Sequence, residues 1–187
     1  MTFKQTLLKP ADLKAQAPDT YQVKFETTAG DFTVKVNRAW APLGADRFYN
    51  LVEHGFFDGA AFFRVVPNFI VQFGLGPHPE VNGVWRGASF KDDPVKESNR
   101  PGTITFATAG PNTRTTQLFI NFGNNNFLDR QGFSPFGEVT QGMDVVKKLH
   151  ASYGEKPDQH QITTKGKAYL EQNFPKLDTI KSATILA

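Results

Sequence analysis

Two polar residues stand where the surrounding pattern is apolar, and they are the first candidates for chemistry. Arg64 interrupts Phe62-Phe63-Arg64-Val65-Val66, and Gln72 interrupts Phe69-Ile70-Val71-Gln72-Phe73. On a strand, alternate side chains share a face. The pattern therefore predicts Phe62, Arg64 and Val66 on one face, and Ile70, Gln72 and Gly74 on one face of the next strand. A guanidinium in a buried strand is costly unless it is paired or lines a cleft. Two readings stand at this point: an arginine satisfied by an internal salt bridge, or a cation presented to a ligand beside apolar side chains.

The rest of the chain offers no competing chemistry. His54, His78, His150 and His160 are scattered, without the spacing of a metal-binding helix. Asp92, Asp93 and Glu97 lack the alternating oxygen ligands and glycine of a calcium loop. There are no cysteines, which excludes thiolate nucleophiles, disulfides and zinc-thiolate sites. Phosphate-binding glycine loops and the Gly-x-Ser-x-Gly turn are absent too. No metal and no cofactor are expected. The net charge is only +3, and the basic residues Lys147, Lys148, Lys165 and Lys167 are not interleaved with exposed aromatics, so no nucleic-acid binding is expected. No apolar run approaches the ~20 residues of a membrane-spanning helix, and no membrane association is expected. A chain with no nucleophile, no acid–base pair and no cofactor loop either binds a ligand or catalyses a step that cleaves no bond.

The elements that must position Arg64 and Gln72 follow from the patterning. A length of 187 residues suits one domain. Sixteen Gly and 12 Pro imply many turns and a mainly β chain. Residues 21–36 read as a hairpin around Ala29-Gly30-Asp31, and a helix starts at Pro42 and closes at Gly55. Strands are predicted at 62–66 and 69–73 around Pro67-Asn68, then at 102–107, 117–122, 133–139 and 179–186. A second helix is predicted over 143–149. Residues 74–101 read as a long surface excursion, and residues 154–178 as a polar insertion in which Tyr169, Leu170, Phe174 and Leu177 pack against the rest of the chain. Residues 1–20 read as an N-terminal extension, and residues 21–187 as the functional domain. The N-terminus has no apolar stretch of signal-peptide length. It reads as cytoplasmic as written, or as periplasmic or secreted if an export signal has been removed.

Around the two polar residues, the run from Phe62 through Arg64, Phe69 and Gln72 to Gly74 resembles the signature of cyclophilin-type peptidyl-prolyl cis-trans isomerases. Three more blocks follow in that family's order. They are Phe106-Ala107-Thr108-Ala109-Gly110-Pro111-Asn112-Thr113, Thr116-Gln117-Leu118-Phe119-Ile120, and Phe127-Leu128-Asp129 before Phe136-Gly137-Glu138-Val139. The resemblance spans residues 21–149 and resumes in the last strand. It implies a closed eight-stranded antiparallel β-barrel capped by two α-helices, with the C-terminal insertion added. It also implies an isomerase that rotates X-Pro bonds in peptides and in unfolded or flexible protein segments, from a groove on the outer surface. The alternative is a peptide-binding module or chaperone that uses the same groove without turnover. Nothing in the pattern requires a dimer, so a monomer is expected.

The resemblance also assigns roles. Arg64 matches the catalytic arginine, and Gln72 the glutamine that bonds the substrate backbone and fixes the arginine. Phe69, Ile70, Phe119 and Leu128 match the pocket for the proline ring. Ala107, Thr108, Ala109 and Gln117 match the groove wall, and Phe127 and Phe133 the far wall. There are departures. Phe127 stands where the best-known eukaryotic members carry Trp, and Phe133 where they carry His. A phenyl ring has no N–H to donate, so weak cyclosporin binding is expected. Ile70 replaces the usual Met, and Thr108 the usual Asn. The stretch after Gly74 carries Pro77, Pro79 and Trp85 in place of a Gly-rich loop.

Overall fold

In the computed structural model, which describes residues 2–186, strands form where apolar and polar residues alternate. β1 (Thr20–Thr27) and β2 (Gly30–Asn37) make the expected hairpin, with Val23, Phe25, Phe32, Val34 and Val36 turned inward. β3 (Arg64–Val66), β4 (Ile70–Phe73), β5 (Thr103–Phe106), β6 (Leu118–Asn121), β7 (Gly137–Gln141) and β8 (Ile180–Leu186) complete one sheet. Its strand order is β3-β4-β6-β5-β7-β2-β1-β8, and all its pairings are antiparallel. The helices are α1 (Pro42–Glu53), α2 (Pro79–Trp85), α3 (Met143–Lys147), α4 (Gln159–Lys165) and α5 (Lys167–Asn173).

The phenylalanine-rich composition becomes the core. Phe25, Phe32, Phe48, Phe57, Phe62, Phe73, Phe106 and Phe136 are all but fully buried in one cluster. Phe25 stacks on Phe32 with centroids 4.8 Å apart, and Phe48 from α1 meets Phe136 at 5.1 Å. Burying each ring contributes about 1.5–3 kcal/mol, which makes staples unnecessary at this length.

The curled sheet does not close into a continuous ladder, which corrects the closed-barrel expectation. Its end strands β3 and β8 are not hydrogen-bonded neighbours. The edges meet through a short seam just before them: Ala61 bridges Thr179, Phe62 N–H donates to the Asp178 carbonyl at 3.0 Å, and Ile180 N–H donates to the Ala60 carbonyl at 2.8 Å. The shared face expected for Phe62 and Arg64 fails for the same reason. The strand begins only at Arg64, so strict alternation stops there, and Phe62 turns into the core against Phe73.

The number of helices is also corrected, from two to five among the described residues. The supposed surface excursion contains α2, whose Trp85 is buried and donates its indole N–H to the Leu7 carbonyl at 2.8 Å. Leu7 and Ala17 are core residues, so the N-terminal extension is a packed strap. The insertion holds α4 and α5, with Tyr169, Leu170 and Leu177 packed on Phe63, Leu75 and Ile162. The predicted 143–149 helix ends at Lys147, and the predicted 133–139 strand starts only at Gly137. Among the described residues, no helix is long and apolar enough to cross a membrane.

Candidate active site

The side chains of β4, β5 and β6 divide between two faces. Val71, Phe73, Ile104, Phe106, Leu118 and Ile120 enter the main core. Ile70 and Phe119 turn the other way and form a separate apolar cluster with Leu128, flanked by Phe69, Ala107 and Phe133. Period-two patterning thus makes two apolar surfaces from one set of strands.

Across the strands, register sets the polar row. Arg64 pairs with Gln72 between β3 and β4, Gln72 with Phe119 between β4 and β6, and Phe119 with Thr105 between β6 and β5. The Arg64 guanidinium donates from Nη1 to Gln72 Oε1 at 3.0 Å, and Gln72 Nε2 donates to Gln117 Oε1 at 2.8 Å. The guanidinium carbon lies 5.9 Å from the Phe69 ring centroid. The turn between the strands makes this possible: Pro67 presets the backbone, Asn68 takes φ 67°, and Phe69 N–H closes on the Val66 carbonyl at 3.0 Å. Gly74 acts at the other end of β4. Its φ is 113°, and a Cβ there would meet the Thr116 carbonyl oxygen at 2.2 Å. Only glycine lets the chain come that close and bring Gln117 against Gln72.

Around this row lies an open cavity of about 570 Å³. Arg64, Phe69, Ile70, Gln72, Ala107, Thr108, Ala109, Gln117, Phe119, Leu128 and Phe133 all line it. Phe127 alone of the expected residues does not. Its ring is 51% exposed and stacks on Phe69 at 6.1 Å, which places it on the outer rim. Phe133 meets Phe119 edge-on at 5.6 Å.

Sequence reasoning missed what holds the far wall. Asn99 is fully buried behind the pocket. It donates from Nδ2 to Asp129 Oδ1 at 2.7 Å and to the Phe133 carbonyl at 3.0 Å, and it accepts from Thr105 and Asn121. Asn125 ties the same segment to the Phe69 carbonyl at 2.9 Å. Burial pushes the Asp129 carboxyl up. The bonds from Ser98 and Asn99 outweigh that and hold it below its ordinary value. Runs of Asn and Ser read as loop in a sequence, so nothing local marked these residues.

Four more cavity residues were not anticipated: Arg86 at the end of α2, Thr113, Thr115, and Gln159 at the start of α4. Nor was Glu155, whose Oε2 lies 3.4 Å from Arg64 Nη2. Both Gln159 and Glu155 come from the insertion. Among the described residues, no group of three or more His, Cys, Asp or Glu could hold a metal ion.

Comparison with known proteins identifies the family. Residues 22–167 match the family model described as cyclophilin type peptidyl-prolyl cis-trans isomerase. A peptidyl-prolyl cis-trans isomerase of Acinetobacter baylyi is 34% identical over 143 residues, covering 73% of this chain and 76% of that protein. One from Dictyostelium discoideum is 34% identical over 133 residues, covering 69% and 84%. The crystal structure of a Cryptosporidium parvum cyclophilin type peptidyl-prolyl cis-trans isomerase shares the fold, with a TM-score of 0.66 at 21% identity over 90% of this chain and 98% of that one. Arg64, Gln72 and their apolar pocket therefore lie within a chain that belongs to the cyclophilin-type peptidyl-prolyl cis-trans isomerase family.

Proposed function

We propose that the groove binds X-Pro segments of peptides and flexible proteins and rotates the X-Pro bond, with Arg64 stabilising the twisted amide. Rotation faces a barrier of ~18–20 kcal/mol, because the planar amide has partial double-bond character. In the twisted form that resonance is lost and the prolyl nitrogen gains an available lone pair. A guanidinium beside that nitrogen, or beside the prolyl carbonyl, favours the twisted form over either planar one. The pocket of Phe69, Ile70, Phe119 and Leu128 takes the ring and excludes water. That disfavours the planar amide, the more charge-separated of the two states. A 10^5-fold acceleration needs roughly 7 kcal/mol and no proton transfer, which accounts for a site without nucleophile or base.

On this reading Gln72 orients Arg64 and bonds the substrate backbone. Ala107, Thr108, Ala109 and Gln117 line the path of the peptide, with the Thr108 backbone as its partner, and Phe133 and the rim ring Phe127 form the far wall. Cyclosporin-type macrocycles bind weakly because Phe127 offers no N–H. The functional unit runs over residues 21–187, with residues 154–178 as an insertion and residues 1–20 as a strap. Proline-containing peptides are supported as ligands by a Cryptosporidium parvum relative crystallised in the presence of the dipeptide Ala-Pro.

The observation that carries the reading is a guanidinium anchored by Gln72 in an open cavity that Phe69, Ile70, Phe119 and Leu128 also line. Arg64→Ala is expected to lower turnover by about 10²-fold or more in a proline-limited refolding or peptide-exchange assay. The melting temperature should stay nearly unchanged. Equal rates for the two proteins would leave the groove as a binding module or chaperone site.

A further inference from the structure

The insertion brings a carboxylate to the groove. Glu155 lies in the segment between α3 and α4, its side chain 63% exposed, with Oε2 3.4 Å from Nη2 of Arg64. The segment is anchored from several sides. Lys156 N–H donates to the Tyr153 carbonyl at 3.0 Å, and the Tyr153 ring packs edge-on against Phe174 at 5.0 Å. Asp158 N–H donates to the Tyr169 hydroxyl at 3.1 Å, and Pro157 is buried. Tyr169 and Phe174 belong to α5 and its C-terminal end, so the helical insertion fixes the loop that carries Glu155.

Two features of the contact define what it can do. At 3.4 Å it is longer than the 2.7–2.9 Å of a tight charge-assisted bond, whereas Gln72 holds the other guanidinium nitrogen at 3.0 Å. The arginine is therefore already positioned without Glu155. An arginine also stays protonated at any working pH, so the carboxylate does not act by changing its charge state. What remains is the field. Arg64 alone would make this part of the groove cationic and attract acidic peptides. A negative charge beside it offsets the charge of Arg64, leaving Arg86 as the other cation that lines the cavity, and favours a cationic substrate side chain passing close to Glu155.

We propose that Glu155 is a specificity-determining residue of the groove, selecting X-Pro segments with a cationic side chain beside the proline over segments with an anionic one. This rests on the reading of the groove as the X-Pro site. The effect is modest, because exposed charge pairs contribute little in water, and it is salt-sensitive.

The test uses matched peptides that differ only in Lys or Glu at the residue before X-Pro or directly after the proline. Dissociation constants are measured by NMR titration, which needs no turnover, on the full chain and on Glu155→Gln. At low salt the Lys-over-Glu preference of the wild type should fall about threefold or more in Glu155→Gln at one flank. The difference should vanish at about 0.5 M salt, where charges are screened within a few ångströms. An unchanged preference in Glu155→Gln overturns the proposal. So does a change of the same size and opposite sign in Lys156→Gln, because the effect would then reflect general surface charge and not the Glu155–Arg64 contact. Peptides that bind but shift no resonance of Phe119, Leu128 or Gln72 would instead overturn the reading of the groove, and this proposal with it.

Discussion

Phe127 sits at the rim of the cavity and not in its lining. Its exposed ring covers Phe69 and offers an inhibitor a flat apolar surface with no donor. Cyclosporin A is therefore expected to inhibit with a constant well above nanomolar. Phe127→Trp should tighten it several-fold, since one hydrogen bond is worth about 0.5–1.5 kcal/mol. Inhibition assays on both proteins decide this, and nanomolar inhibition of the wild type would refute it. At this scale the sequence was informative. Arg64 and Gln72 stood out because they interrupted apolar runs, Phe69 and Phe119 through the family resemblance, and all four line one cavity. Glu155 gave no such signal, because an exposed glutamate in a polar segment looks like any solvated charge.

The segment Asn126–Gln131, a short 3-10 helix, carries Phe127 and Leu128. Asp129 is its tether, bonded to the Ser98 hydroxyl at 2.5 Å and to the Asn99 backbone N–H at 2.9 Å. Its carboxyl is held below its ordinary value in the folded state. The stability it contributes is thus fully present above about pH 4, the ordinary carboxylate range. It is lost as pH falls through the lower folded value. Asp129→Ala leaves the buried Asn99 amide short of an acceptor, at a cost of about 1–3 kcal/mol at neutral pH. Urea unfolding at pH 7 and at pH 3 should show the wild type losing part of its advantage over Asp129→Ala in acid. A constant difference between the two pH values would contradict the assignment. Strand periodicity could not reveal this tether, because it joins a loop to a 3-10 turn and obeys no repeat.

For the whole molecule, one buried ion pair links the start of α1 to the segment between β5 and β6. Asp93 accepts from the Leu43 and Gly44 backbone N–H groups at 3.1 and 2.9 Å, and pairs with Arg114 at 3.0 Å. The carboxylate caps a helix that Pro42 opens with no side-chain cap of its own. Phe90 lies between the guanidinium groups of Arg47 and Arg114, whose carbons are 4.6 and 4.3 Å from its ring centroid. Burial, with Arg114 nearby, pushes Arg47 down to about 10. Burial also lowers Arg114, against the opposing pull of Asp93 and Asp92. Asp93→Ala would strand the Arg114 charge and should cost about 3–5 kcal/mol. Denaturant melts with an unchanged slope and a lower midpoint would show it; a loss below about 1 kcal/mol would mean the pair is dispensable.

Sequence by itself determined the strands, the first helix, the signature around Arg64 and Gln72, and the face that became the pocket. All of these follow from repeats two or three to four residues long, or from contiguous motifs. Only the tertiary structure decided that the sheet's edges meet in a short seam, that Trp85 and the N-terminal strap enter the core, that Asn99 braces the far wall, and that Glu155 reaches Arg64. Each of those joins residues far apart in the chain. Such pairings depend on how finished elements pack, and no local period records them.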